Sequence, residues 1–196
     1  MLNFLRTMSI KNKIKTLSFF PLVFIIGMSF YIDMNLYNKQ SKLVDVKEII
    51  DLNERISLLL HETQKERGIT SAFLGNKGAK FKDTLITQKE LTNKNIEEFK
   101  KTINKISVEK YPENGKNLID NVLKELSSIQ NIRSDVDSLA IDAKKAIAYY
   151  TDLNATLLSF VALTSTIADS ESTIKSIIAY YNFLMAKERA GIERAV

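Results

Sequence analysis

The chain has 196 residues, 45% of them hydrophobic and 26% charged, with 6 Gly, 2 Pro and no Cys. That balance is globular rather than disordered and fits one domain, while the lack of cysteine excludes disulfides, iron–sulfur clusters and thiolate zinc sites. The formal charge of +5 suggests nucleic acid, but Arg6, Lys11, Lys13 and Lys15 lie within residues 1–32, which hold no acid, and leave about +1 for the rest. A nucleic-acid face would concentrate charge in the folded part, so no nucleic-acid partner is expected.

The basic stub 1–15 precedes the 16-residue apolar run Leu17–Ile32. Thr16, Met34, Leu36 and Tyr37 extend the run toward the length that spans a bilayer, and Tyr31 and Tyr37 suit an interface. Pro21 and Gly27 are tolerated in membrane helices. No Ala-x-Ala-like cleavage site follows, so the run reads as an uncleaved anchor at 16–37 rather than a secretory signal. The positive-inside rule places residues 1–15 in the cytoplasm and 38–196 outside the inner membrane, in the periplasmic or extracellular space.

From Asp33 to Leu74 the only helix breaker is Gly68, which predicts one long helix ending at the turn cluster Gly75-Asn76-Lys77-Gly78. That turn lacks the Gly-Lys-Ser/Thr ending of a phosphate loop and follows no strand. A second helix spans Phe81 to about Ser107, with Leu85, Leu91, Ile96, Phe99, Ile103 and Ile106 on a thin apolar face. Tyr111-Pro112 breaks the chain. Leu118, Ile119, Val122, Leu123, Leu126, Ile129 and Ile132 mark a third helix, and the polar run Arg133 to Asp137 reads as a junction. Asp142 suits the cap of a fourth helix, Ala143–Ala168, with Ile147, Tyr150, Leu157, Leu158 and Val161 inward and Asn154 as a hydrogen-bonded core amide. Asp169-Ser170-Glu171 caps a fifth helix from about Ser172, which is apolar on most sides and therefore expected to be buried.

Two stretches carry the functional signal. At about 100° per residue, Leu52, Ile56, Leu59, Leu60, Thr63, Arg67, Thr70 and Leu74 share one helix face. Arg67 thus sits on an apolar stripe, where a guanidinium must meet something negative, either an acid of the chain or an anion. Lys65-Glu66-Arg67-Gly68 is echoed near the other end by Lys187-Glu188-Arg189-Ala190-Gly191, then Ile192-Glu193-Arg194-Ala195. On Gln64-Lys65-Glu66-Arg67-Gly68-x-Thr70-Ser71-x-Phe73-Leu74 and Lys187-Glu188-x-x-Gly191-x-Glu193-Arg194-Ala195 the chain resembles the nitrate- and nitrite-sensing (NIT) domain family, from about Leu43 to the end. The resemblance implies nitrate or nitrite held by arginines of the two motifs: Arg67 from the first, Arg194 from the second, Arg189 as the weaker candidate. Gly68, Thr70, Ser71, Ala190 and Gly191 would line the pocket. Planar forks match a planar oxyanion, and small neighbours leave it room.

No enzyme is expected: no nucleophile–base pair stands at readable spacing. His61 lacks the second His or Cys a metal site needs, so no metal or cofactor is expected, and His61 reads as solvent-facing or hydrogen-bonded. Glu66, Glu188 and Glu193 adjoin Lys or Arg and read as partners of arginines. The expectation is an all-α, membrane-anchored extracytoplasmic bundle with a four-helix core of long antiparallel helices. Its first and last helices would be adjacent and lead to two membrane spans. The chain stops inside the second motif and so reads as the amino-terminal part of a longer chemotaxis receptor (a methyl-accepting chemotaxis protein) or sensor kinase, expected to be a homodimer. A bundle receptor for another small ligand, or a ligand-free helical scaffold, are the alternatives.

Overall fold

The structure is a computed structural model, and it describes residues 9–106, 111, 113–168 and 170–195. Arg6, Ser107, Pro112 and Asp169, which figure in the sequence reading, lie outside the described residues. Among the described residues five helices follow one another: α1 (Ile10–Gly75), α2 (Lys82–Ile103), α3 (Glu113–Asp137), α4 (Ala143–Ile167) and α5 (Glu171–Ala195). No strand occurs among the described residues. The chain divides into two compact units, 1–45 and 46–196.

In the first unit, Ile10–Tyr37 is a 28-residue stretch of α1 long and apolar enough to cross a membrane. Phe19, Phe20, Phe24, Ile25, Ile26 and Phe30 are all exposed on it. The anchor read at 16–37 falls within it.

The second unit is a four-helix bundle with a fifth helix on its flank. Cross-links between helices set the directions. Gln88 of α2 donates to Glu62 of α1 at 2.6 Å, Lys89 of α2 pairs with Asp137 of α3 at 2.6 Å, and Tyr149 of α4 donates to Glu125 O of α3 at 2.6 Å. Asn53 of α1 donates to Thr164 of α4 at 2.8 Å and Thr63 to Asn154 at 2.6 Å, which closes the ring. Each neighbouring pair is therefore antiparallel. The core holds Leu52, Ile56, Leu59 and Leu60 from α1, Ile96, Phe99 and Ile103 from α2, Ile119, Val122, Leu126 and Ile129 from α3, and Tyr150, Leu153, Leu157, Leu158, Phe160 and Val161 from α4. These positions recur at three and four residues, the spacing that keeps one helix face inward. α4 is also long and apolar enough to cross a membrane, but its apolar face is packed in this core.

Local chemistry places the helix ends. α1 stops where Gly78 takes φ +77°, and its N–H bonds the carbonyl of Phe73 at 3.0 Å. This is the backbone closure that glycine favours at a helix end. Asp142 caps α4 as read, accepting from Lys145 N at 2.8 Å.

Two readings change. Arg133 to Asp137 is the last turn of α3 rather than a junction, and Arg133 is buried. Polarity misleads there because the charge is neutralised inside the bundle. α5 is not enclosed: it buries Ile177, Leu184 and Glu188, while Phe183 is 65% exposed and Ala186 and Ala190 are exposed. Four helices already complete the core, so the fifth can bury only one face. The expected adjacency of first and last helices holds, and they run parallel: residues 46–54 of α1 lie beside 172–180 of α5, and residues 61–68 beside 187–194. A fifth element in an alternating bundle has the direction of the first.

Candidate functional site

Residues 66 and 67 are neighbours in sequence but face different partners, because one residue turns a helix by about 100°. Both are buried, Glu66 at 0% and Arg67 at 1% exposure. Glu66 reaches diagonally through the core to Arg133 of α3, whose Nε and Nη2 donate at 2.7 and 2.8 Å. Tyr150 of α4 donates to the same carboxylate at 2.8 Å. Burial, and then the nearby Glu66 charge, push the Tyr150 hydroxyl well above its usual range, which keeps it a donor. Asn93 of α2 accepts from Arg133 Nη1 at 2.6 Å. One ion pair thus joins all four core helices.

Arg67 turns instead toward α5. Its Nη1 donates to Glu188 Oε1 and, at 3.0 Å, to Thr151 of α4, and its Nη2 faces Glu188 Oε2 at 3.4 Å. Glu188 also accepts from Gln64 Nε2 at 2.7 Å and from Asn154 Nδ2 at 3.2 Å. Thr63 donates to the Asn154 oxygen, which orients that amide with its nitrogen toward Glu188. Arg67 Nε is buried with no hydrogen-bond partner among the described residues. The result is a planar carboxylate gripped at both oxygens by an arginine fork and two amides, a charge-assisted arrangement with orientational specificity.

Beside this cluster a cleft of about 340 Å³ opens between α1 and α5, lined by His61, Gln64, Lys65, Gly68, Lys187, Gly191 and Arg194. None of the lining residues is acidic. Lys65 pairs with Glu62 at 3.0 Å. Lys187 lies 2.9 Å from His61 Nδ1, and Arg194 Nε donates to Ala190 O at 3.2 Å; no acid pairs with either cation among the described residues. His61 is held below its usual range by partial burial, then by the Lys187 charge, with Glu62 opposing. Lys187 is likewise lowered by burial, with Glu62 and Glu188 opposing. A crowd of cations in a concave, partly desolvated wall attracts anions. The glycines set the depth. A Cβ on Gly191 would lie 2.8 Å from Arg67 Nη2, so only glycine lets the backbone of α5 approach the guanidinium, whereas a Cβ on Gly68 would meet nothing within 4 Å.

Of the residues named from sequence, Gly68, Gly191 and Arg194 line this cleft; Arg67 does not, its buried fork lying behind Gly191 and turned to Glu188. Arg189 and Ala190 are exposed and do not line it; Thr70 is buried beside Tyr150, and Ser71 is half-buried and outside the cleft lining. Glu66 and Glu188 are partners of arginines as read; sequence reasoning missed which arginines they hold, Arg133 and Arg67, and the cleft positions of Gln64 and Lys187. The signal for Glu188 was available: it sits four residues after Leu184, on the inward face of α5. Asn154 is the core amide it was read to be, and His61 is hydrogen-bonded.

A family model for nitrate and nitrite sensing, NIT, matches residues 58–196. Comparison with curated proteins gives no match. Among solved structures the chain is similar to the NasR transcription antiterminator, with a TM-score of 0.76 at 20% sequence identity over 86% of this chain and 46% of that one. At that identity the likeness bears on the all-α fold, and the chain spans less than half the length of that protein. The NIT model covers well over half of the chain and includes both arginine motifs, and the chain therefore belongs to the nitrate- and nitrite-sensing family.

Proposed function

We propose that the chain is the ligand-sensing part of a membrane-anchored receptor, which takes nitrate or nitrite into the cleft between α1 and α5 with Arg67 and Arg194 as its arms. The observation that carries this reading is the cleft itself: it has Lys187 and Arg194 on its wall, no acid among its lining, and the Arg67 fork behind Gly191. A small planar anion satisfies such a wall with charge and hydrogen bonds together. Arg189 is exposed outside the cleft and has no part in it. The apolar stretch Ile10–Tyr37, with Lys11, Lys13 and Lys15 at its amino end, supports an anchor with the sensor outside the cytoplasm. The output is a chemotaxis transducer or a histidine kinase.

The test is thermal unfolding of the full chain in detergent with sodium nitrate, sodium nitrite or sodium chloride at equal ionic strength. A ligand of the folded state raises Tm by mass action, whereas screening is common to the three salts. Nitrate or nitrite should raise Tm well beyond chloride, Arg194→Ala should remove that excess, and Arg189→Ala should keep it. Equal shifts with all three salts would end the reading. A reporter fused after Val196 should be active only if it works outside the cytoplasm; a working cytoplasmic reporter would reverse the topology.

A further inference from the structure

We propose that Glu188 is a tethered stand-in for the ligand: its carboxylate occupies the seat that receives the planar oxyanion, and binding is an exchange in which Glu188 leaves. This rests on the anion-sensing reading above and goes further by assigning the seat and its internal competitor.

The seat is defined by what Glu188 touches. Arg67 Nη1 and Nη2, Gln64 Nε2 and Asn154 Nδ2 converge on its two oxygens. A carboxylate presents two oxygens about a trigonal carbon with one negative charge. Nitrate and nitrite present two oxygens about a trigonal nitrogen with the same charge, so the same donors fit either edge. The seat also adjoins the cleft, since Gln64 belongs to both and Gly191 leaves Arg67 Nη2 within 2.8 Å of a would-be Cβ.

Charge favours an exchange over an addition. A second anion beside Glu188 would put two negative charges on one buried fork, and removing Glu188 without replacement would strand Arg67. One anion for another keeps the buried seat neutral. The displaced carboxylate has a destination: Lys187 on the cleft wall has no acid partner among the described residues. Glu188 is also one of only three buried side chains described on α5, with Ile177 and Leu184. Its departure releases the last two turns of α5 from α1 and α4, giving ligand-free and ligand-bound states that differ in one helix.

The experiment titrates the full chain and its variants with sodium nitrate, sodium formate and sodium chloride, reading Tm and helical circular dichroism. Glu188→Gln removes the competing charge, so half-saturation should move to nitrate concentrations at least about tenfold lower, the factor expected when a competitor fills a seat for more than about nine-tenths of the time. Glu188→Ala should be stabilised by formate, a free carboxylate restored to the vacated seat, while wild type should not. The double variant Arg67→Ala/Glu188→Ala should lose that rescue. If either single variant unfolds in chloride, recovery in nitrate or formate supports the seat and absence of recovery overturns it. A wild type that responds to nitrate beside a Glu188→Gln variant with unchanged half-saturation overturns the exchange alone. Silence of wild type and every variant removes the nitrate reading and the exchange with it.

Discussion

Replacing Arg133 by methionine keeps much of the apolar stem and removes the guanidinium. Glu66 is then left at 0% exposure with the Tyr150 hydroxyl as its remaining donor. Truncating one member of a buried, hydrogen-bonded pair costs about 3–5 kcal/mol, because the other charge is stranded. In a unit of this size each kcal/mol moves Tm by about 2–4 °C, so Arg133→Met should lower Tm by about 6–20 °C. Urea unfolding should show the same loss at neutral pH. Adding Glu66→Gln to Arg133→Met should recover part of the loss, a coupling of about 0.5–3 kcal/mol in the double-mutant cycle. A loss under about 1 kcal/mol, the worth of an exposed pair, would refute the reasoning. Neither residue lines the cleft, so the Tm increment from nitrate should survive in the variant.

Arg67→Ala strands Glu188 in the same way and should cost about 3–5 kcal/mol without ligand in a denaturant titration, where a guanidinium lacking an acid partner would have given relief. Gly191→Ala must push the Arg67 fork aside and should lose the nitrate-dependent Tm shift, whereas Gly68→Ala meets open space and should gain about 0.4–1 kcal/mol from a stiffer unfolded chain. Asp142→Ala removes the cap on α4 and should cost about 1 kcal/mol. His61 is lowered in the folded state by partial burial and then by Lys187, so the folded chain binds fewer protons than the unfolded one. Its stabilising effect is present above the unfolded value of about 6.5 and is lost as the pH falls through the lower folded value. His61→Gln should flatten the Tm profile in that window.

Much of the bundle was legible because burial imprints a period. Leu52, Ile56, Leu59 and Leu60 stand at helical spacing, and so do the inward residues of the third and fourth helices. Asp142 and Gly78 act through bonds only a few residues long, which a sequence displays directly. What escaped was pairing at long range. Arg133 is 67 residues from Glu66, and Glu188 is 121 from Arg67. Nothing local distinguishes a charge that will be neutralised across a bundle from one left in water, so Arg133 read as a junction. The apolar second face of α5 misled for the opposite reason: composition favours burial, but neighbours decide whether room exists, and four helices had filled it.

On the proposed reading, the divergence of Glu66 and Arg67 would let one helix be both frame and sensor. Glu66 ties α1 to α3 and α4 inside the core, where an exchange of partners would need the bundle to open. Arg67 ties α1 to a helix that buries few side chains and lies beside an open cleft. A ligand shifts an equilibrium only by its difference in affinity between two states. That difference has to be expressed where a contact can be surrendered at small cost, and low local burial is the physical mark of such a place. The interface of α5 with α1 meets this condition and the Glu66–Arg133 core does not. Anion binding at Arg67 would therefore be felt first as a change in the seating of α5, with the four-helix core serving as the fixed reference against which that change is read.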